Sequence, residues 1–230
     1  MKKKINVTVW NEGCHERESE EVRAVYPEGI HTCIASFLKD DEEIGKIRTF
    51  TMYDEEQGLR EEDLNDTDVL IYWAHIRHNK IEDQYVQRIY EHVVDRGMGL
   101  ILLHSAHASK IFRKLCGTQT DRLEWRESGD EEHLWTIEPH HPICRGVESP
   151  IILEHEETYG ERFYIPKPDE LLFISWFSGG EVFRSGLCYY RGNGKIFYFQ
   201  PGHETYPTYY NPKIQQVIRN AIKWAVPDQE

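Results

Sequence analysis

The sequence has few of the features that mark disulfide-rich, membrane-spanning or secreted chains. Its five cysteines are odd in number and scattered without a CxxC pair, which disfavours a disulfide framework and fits a reduced, cytoplasmic setting. No segment reaches the roughly 20 consecutive apolar residues of a bilayer span. The stretch 1–10 is too polar and too short for the apolar part of a signal peptide.

Positive charge is also scarce. Lysine and arginine number 27 against 40 aspartates and glutamates, and the formal net charge of -13 repels nucleic acid and anionic membranes, so neither is an expected partner. Glycine (16) and proline (10) are too few for a fibrous or disordered chain, while 39% of the residues are hydrophobic. A single globular domain over residues 1–230 is therefore expected.

Short apolar strands alternate with helical segments in the first half of the chain. The predicted strands are Ile5–Trp10, Ile47–Met52, Val69–Trp73 and Leu100–Leu103. The predicted helices cover Thr32–Leu38, a segment from Ile81 to Gly97, and a segment from Ser105 through Leu115. This alternation predicts an α/β fold with a mostly parallel central sheet and helices on both faces.

Strands dominate the second half of the chain. They are predicted at Trp135–Glu138, Ile151–Glu157, Leu171–Phe177, Gly186–Tyr190 and Lys195–Phe199, before a final helix that opens at Pro212. The last two strands flank residues 191–194 (RGNG), whose Asn and Gly tolerate the backbone angles of a tight hairpin. An antiparallel region is therefore expected beside the parallel strands.

Histidines follow four of the predicted strands, at the edge where parallel sheets bind ligands. The polar residues at these strand ends are Glu12 and His15, then His75 and His78, then His104, Ser105 and His107, and finally His203 and Glu204. We expect the imidazoles at 15, 75, 104 and 203 to meet around one hollow. Neutral imidazoles suit a divalent transition metal such as zinc, but they suit proton transfer equally, and both interpretations stay open. No nucleotide cofactor is expected.

The segment 100–110 (LILLHSAHASK) has the layout of a nucleophile elbow, in which an apolar strand turns sharply into a helix. His104 or Ser105 would lie at its tip. The glycines of a GxSxG motif are absent, so the alternative is a plain strand-to-helix junction with Ser105 as the helix N-cap.

These segments resemble the ThuA-like proteins, the trehalose-utilisation group, which share the fold of class I glutamine amidotransferases. The resemblance runs over the whole chain and is carried by VTVWNEGCHE, WAHIRH, GLILLHSAH, HEETYG and RGNGKIFYFQPGHETY. It implies a flavodoxin-like three-layer sandwich. Where the amidotransferases place a cysteine at the elbow and a His-x-Glu pair after the last strand, this sequence has His104-Ser105 and adjacent His203-Glu204, which argues against glutaminase activity.

The resemblance also implies a role in disaccharide metabolism, with a sugar or keto-sugar as the small-molecule partner. We expect catalytic roles for His203, Glu204, His104, Ser105 and Glu157, with His203 oriented by Glu204 or Glu157. Expected sugar contacts come from Glu12, Trp73, His107 and Tyr159, and the expected metal ligands are His15, His75, His104 and His203. Each has a structural alternative, because aromatic residues at strand ends often belong to the core and HEETYG is also typical of a polar turn.

Three functions stay open at this point. The first is a carbohydrate-active enzyme with His-based, metal-assisted acid–base chemistry. The second is a non-catalytic sugar-binding or regulatory protein that kept the fold. The third is a cysteine hydrolase that uses Cys14 with the help of His15. Homo-oligomers are common among soluble enzymes of this size, and this frequency is the ground for expecting a homo-oligomer here.

Overall fold

A mixed sheet runs through the whole of the computed structural model, which describes residues 3–117 and 123–227. Its strands in these ranges are β1 (Ile5–Asn11), β2 (Ile44–Thr51), β3 (Val69–Trp73), β4 (Gly99–Leu103), β5 (Glu124–Thr136), β6 (Ile151–Gly160), β7 (Glu170–Phe177), β8 (Val182–Arg191) and β9 (Gly194–Phe199). Their order across the sheet is β2-β1-β3-β4-β9-β8-β7-β5-β6. The neighbouring pairs from β2 to β9 are parallel, and those from β9 to β6 are antiparallel.

Helices cover both faces of the parallel strands. They are α1 (His15–Glu18), α2 (Glu20–Val25), α3 (Ile30–Leu38), α4 (Glu61–Asn65), α5 (Asp83–Val94), α6 (Lys110–Cys116) and α7 (Pro212–Ala225). One core joins α3 and α7 to side chains such as Ile71, and the other joins α5 and α6 to side chains such as Leu70. Since successive strand residues point to opposite faces, β3 and β4 are buried on both sides. The predicted three-layer α/β fold is confirmed.

The strand order reverses at β1, which has β2 on one side and β3 on the other. In such sheets ligands bind beyond the carboxyl ends of the strands near this point. The segments that follow β1, β3, β4 and β9 all leave from that edge. The fold thereby brings together residues that are far apart in sequence.

Two predicted elements differ from the structure. The chain after β4 forms a 3-10 turn over His104–Ala108 before α6 begins at Lys110, and the α6 N-cap is Ser109, whose hydroxyl accepts from the Phe112 amide. The alternative in which Ser105 caps a helix is therefore wrong. The predicted strand at Trp135–Glu138 is the end of β5, whose earlier residues are largely charged and exposed, so no apolar pattern marks them.

The predicted hairpin is confirmed, because Arg191 pairs with Gly194 across the β8–β9 turn and Gly192 has a φ of 58°. Among the helices described, none is both long enough and apolar enough to cross a bilayer.

Candidate functional site

Four imidazoles meet at the carboxyl edge of the parallel strands. The ring centroid of His75 lies 4.8 Å from that of His104 and 5.1 Å from those of His15 and His203. The His104 and His203 rings are 5.3 Å apart. The sequence prediction that these four residues surround one hollow therefore agrees with the geometry.

His104 lies at the tip of a strained turn. Its φ is 57°, a left-handed conformation that costs a non-glycine residue about 1–2 kcal/mol. The side chain is fully buried, with its ring stacked on Trp73 and its Nδ1 atom 3.3 Å from the Gln200 carbonyl oxygen. A proton on Nδ1 donates to that carbonyl and leaves the Nε2 lone pair facing the cluster. The turn therefore forms without a glycine, and it places the His104 imidazole at its tip.

Glu204 holds two of the imidazoles through its carboxylate. The Nδ1 atoms of His15 and His75 each lie 2.9 Å from one of its oxygens. Burial alone would raise the pKa of Glu204, but these hydrogen bonds keep it well below its usual range. Burial lowers the pKa of His15, but the Glu204 carboxylate outweighs burial and raises it.

His203 has a different partner from the one expected. Its Nδ1 atom is 2.8 Å from the Thr205 hydroxyl oxygen and accepts from the Thr205 amide at 3.3 Å, whereas its Nε2 atom is 3.8 Å from Glu204. The expectation that a glutamate orients His203 is therefore wrong. Because Nδ1 accepts, the neutral ring carries its proton on Nε2.

The largest group of potential metal ligands among the described residues consists of His75, His104, His203 and Glu157. One ligand atom from each lies within 4.8 Å of the others. The His104 Nε2 and Glu157 Oε2 atoms are 3.4 Å apart, both buried, and neither makes a hydrogen bond with a described residue. Glu157, not His15, completes this group, because His15 is tied to Glu204.

Burial sets the charges in this group. It lowers the pKa of His104 well below its ordinary value and that of His203 to about 4, so both rings are neutral at pH 7. Burial also raises the pKa of Glu157 to about 9. A carboxyl group with this pKa is protonated at neutral pH unless a cation displaces the proton.

The cluster opens into a cavity of about 530 Å³. Eight predicted site residues line it: His15, His75, Ser105, His107, Glu157, Tyr159, His203 and Glu204. Trp125, Glu127 and His78 line the cavity as well, although the sequence predicts no site role for them. Alternation along β5 places Trp125 and Glu127 on one face of the strand, but the acidic residues around them leave no apolar pattern from which the strand could be predicted.

Tyr159 and His107 form the wall beside the elbow. The Tyr159 hydroxyl hydrogen-bonds the Ser105 hydroxyl, and its ring stacks on His104 with centroids 5.8 Å apart. His107 is buried, with Nδ1 3.2 Å from the Tyr198 hydroxyl. Neither ring nitrogen of His78 makes a hydrogen bond of ordinary geometry within the described ranges, although both are buried. Ser105 and His78 can therefore bind ligand hydroxyls.

Two expected sugar contacts lie outside the cavity wall. Trp73 is fully buried, stacks behind His104, and donates its Nε1 proton to the Gly202 carbonyl. Glu12 is buried and accepts from the backbone amides of His75 and Ile76 at 3.1 Å. A sugar in the cavity reaches neither side chain. Both expectations are corrected, because these side chains support the loops that carry the site.

Cys14 does not have the properties of a nucleophile. It is fully buried, and its thiol donates to the Glu12 carboxylate at 3.0 Å. Burial and the Glu12 charge raise the pKa of this thiol, so the reactive thiolate is absent at neutral pH. The geometry rules against the hypothesis of a Cys14 hydrolase.

Comparison with known proteins agrees with the fold. Two solved structures of proteins described as ThuA-like match this chain. The one from Parabacteroides merdae has 14% sequence identity and a TM-score of 0.67, and the match covers 99% of this chain and 93% of the other. The one from Bacteroides uniformis has 15% sequence identity and a TM-score of 0.64, and the match covers 97% of this chain and 92% of the other. PurLQS from Thermotoga maritima matches at 12% identity and 0.55, covering 96% and 99%. These likenesses show the fold alone.

Sequence comparison identifies the family. No curated protein matches the sequence. The ThuA model, described as trehalose utilisation, matches residues 6–225, which is nearly the entire chain. This protein therefore belongs to the ThuA family.

Proposed function

We propose that this chain is an enzyme that acts on a sugar or keto-sugar, with a divalent transition metal bound by His75, His104 and Glu157. The observation that carries the proposal is the juxtaposition of two buried potential ligand atoms, His104 Nε2 and Glu157 Oε2, which lie 3.4 Å apart and make no hydrogen bond with a described residue. Burying such atoms unpaired is costly. A cation bound between them would remove that cost.

The donor set suits zinc or a similar first-row ion. Two imidazoles and one carboxylate with an open position are typical of catalytic sites. Glu204 accepts from His75 Nδ1, and the Gln200 carbonyl accepts from His104 Nδ1, which leaves the Nε2 atom of each ring as the candidate ligand. When bound, such an ion supplies a Lewis acid for a sugar oxygen.

His203 supplies a hydrogen-bond donor at the same place. Its Nδ1 atom accepts from Thr205, so its Nε2–H can donate to an oxygen of the sugar on which charge develops. The Glu127 carboxylate lies 3.7 Å from Nε2 on the cavity wall and can take up a proton from the substrate. Ser105 and His78 offer hydrogen bonds to hydroxyl groups. In this proposal His203 works as a neutral imidazole beside the metal and is not a ligand.

A carbohydrate substrate follows from the family and the cavity together. The family model is described as trehalose utilisation, and the resemblance implies a keto-sugar or disaccharide. His104 stands at the elbow position of the amidotransferase cysteine, so we propose no glutaminase activity. The cysteines are free, which supports a reducing compartment and a cytoplasmic location.

The test compares two histidine variants. Protein purified with zinc is assayed with 3-ketotrehalose by mass spectrometry of the products, and its zinc content is measured in parallel. We expect His104→Ala to lose both zinc and turnover, and His203→Gln to keep zinc but lose turnover at least 100-fold, the scale of acid–base catalysis. Half-buried His133, which does not line the cavity, offers a control, since His133→Gln changes neither quantity.

The two results separate the roles. Unchanged turnover in both variants would remove the proposed chemistry. Zinc loss in His203→Gln would make His203 a ligand. Tight binding of trehalose with no product after long incubation would favour the non-catalytic alternative.

A further inference from the structure

Trp125 is an exposed aromatic residue at the mouth of the cavity. It lies on β5, and 64% of its surface is exposed although it lines the cavity. Tryptophan is on average a highly buried residue, because covering the indole is strongly favourable. Ile76, which is 51% exposed, lines the same cavity. The mouth is therefore apolar, whereas the floor consists of imidazoles and carboxylates.

The β5–β6 pair connects this mouth to the floor. Trp125 is opposite Tyr159 in the strand register, and Tyr159 stacks on His104. Glu127 lies two residues further along β5 and also faces the cavity, since alternate strand residues share a face. An aromatic face and a carboxylate thus stand side by side above the proposed metal ligands.

We propose that Trp125 forms a second sugar subsite, so that the substrate is a disaccharide or another glycoside and not a monosaccharide. This inference rests on the proposed function. The reacting ring would lie on the floor near His104, and the second ring would place its apolar C–H face on the indole. The cavity of about 530 Å³ falls within the usual range for ligand pockets, about 300–1,000 Å³.

The surrounding charges favour a sugar over other ligands that could cover an indole. A purely apolar chain would bury the Glu127 carboxylate without a partner, which is unfavourable. An anionic ligand would meet Glu127 and Glu204. A sugar ring has an apolar face for Trp125 and hydroxyl groups that donate to carboxylates. Neutral glycosides are therefore the class of ligand that can pack on the Trp125 indole and also donate hydrogen bonds to the Glu127 carboxylate.

The experiment measures kcat and KM of the zinc-loaded protein with 3-ketotrehalose and with 3-ketoglucose. We expect Trp125→Ala to raise KM for the disaccharide about tenfold, the effect of losing a stacking contact of about 1.4 kcal/mol, with kcat and zinc content unchanged. KM for the monosaccharide stays the same. Trp125→Phe gives an intermediate value. Trp135→Ala is the control, because Trp135 is 48% exposed on the same strand but does not line the cavity.

An unchanged disaccharide KM in Trp125→Ala, or an equal rise for both sugars, overturns the subsite and leaves the proposed function standing. If the wild type turns over neither sugar, the proposed function fails on its own. Calorimetry with trehalose and glucose then tests whether Trp125 binds a second sugar ring. Trehalose binding that is weakened in Trp125→Ala supports it, and the absence of trehalose binding or equal binding by both proteins overturns it.

Discussion

The Nδ1 atom of His75 lies 2.9 Å from the Oε2 atom of Glu204, and this contact joins two loops that are 129 residues apart in sequence. Because Glu204 is charged and acceptor-only, the His75 proton resides on Nδ1 and the Nε2 lone pair faces the cluster. Such carboxylate–histidine pairs fix the tautomer and orientation of metal-binding imidazoles. Glu204 is adjacent to His203 in sequence, but it orients His75.

Replacing Glu204 by glutamine should weaken zinc binding. The amide keeps one acceptor but loses the charge that holds His15 and His75, and loss of such a partner lowers metal affinity about 10–100-fold. Competition with a chromophoric chelator measures this affinity. The control is Glu154→Gln, an exposed position on β6. Equal affinities for the two variants would show that Glu204 does not position His75.

The strain at His104 is testable with two variants that both lack the imidazole. At a φ of 57°, glycine is unstrained and alanine is not, so the free energy of unfolding of His104→Gly should exceed that of His104→Ala by about 1 kcal/mol. Urea unfolding of the metal-free proteins provides the values. A more stable alanine variant would mean that this turn carries no strain.

The sequence predicts the fold and the edge at which the candidate histidines meet, but not the hydrogen-bond partner of each residue there. His15, His75, His104 and His203 each follow an apolar strand, and parallel topology alone brings such positions to one edge. Their individual roles were not predictable, because they depend on hydrogen bonds between loops. His203 and Glu204 are adjacent in sequence, yet one contacts Thr205 and the other contacts His75.

Glu156 and Glu132 form a buried acid pair in which the two members should respond differently to substitution. Glu156 accepts from the Gly202 and His203 amides and the Thr208 hydroxyl, and these hydrogen bonds oppose burial, which raises the pKa of Glu156 to about 7. Burial and the Glu156 charge raise the pKa of Glu132 well above its usual value, so Glu132 is the member of the pair that we expect to hold a proton.

Glutamine imitates a protonated carboxyl group but not a carboxylate. Glu156→Gln should therefore lose about 2 kcal/mol of unfolding free energy at pH 8.5, where the Glu156 carboxylate is charged, as expected for broken hydrogen bonds to a charged group. Glu132→Gln should lose nothing or gain stability. Urea titrations of both variants and the wild type make the comparison, and a similar loss in both would contradict this assignment of the proton.

His107 should make the metal-free protein less stable in acid. Burial lowers its pKa from about 6.5 to about 3, so the unfolded state binds more protons between these values. The contribution of neutral His107 to the free energy of unfolding is complete above pH 6.5 and is lost as the pH falls toward 3. At pH 5 the loss is about 2 kcal/mol.

The variant His107→Gln tests this contribution. Its unfolding free energy should fall less between pH 7 and pH 5 than that of the wild type, by about 2 kcal/mol. Parallel slopes for the two proteins would indicate that His107 accepts a proton in the folded state without strain.

The features that the sequence did not reveal share one physical origin. Trp125 and Glu127 lie on a strand rich in charged residues, so no periodic apolar pattern marks it. Trp73 is an expected sugar contact, but its buried ring stacks on His104 and does not line the cavity. Strand ends are predictable from apolar runs, whereas the direction of a side chain at the end depends on packing between layers.

The central claim is that His75, His104 and Glu157 bind one divalent ion. Elemental analysis of protein purified without a His tag and without added metal tests it most directly. We predict close to one zinc or other first-row ion per chain in the wild type, and almost none in His104→Ala. A wild-type content far below one per chain, unchanged after incubation with zinc and dialysis, would contradict the claim.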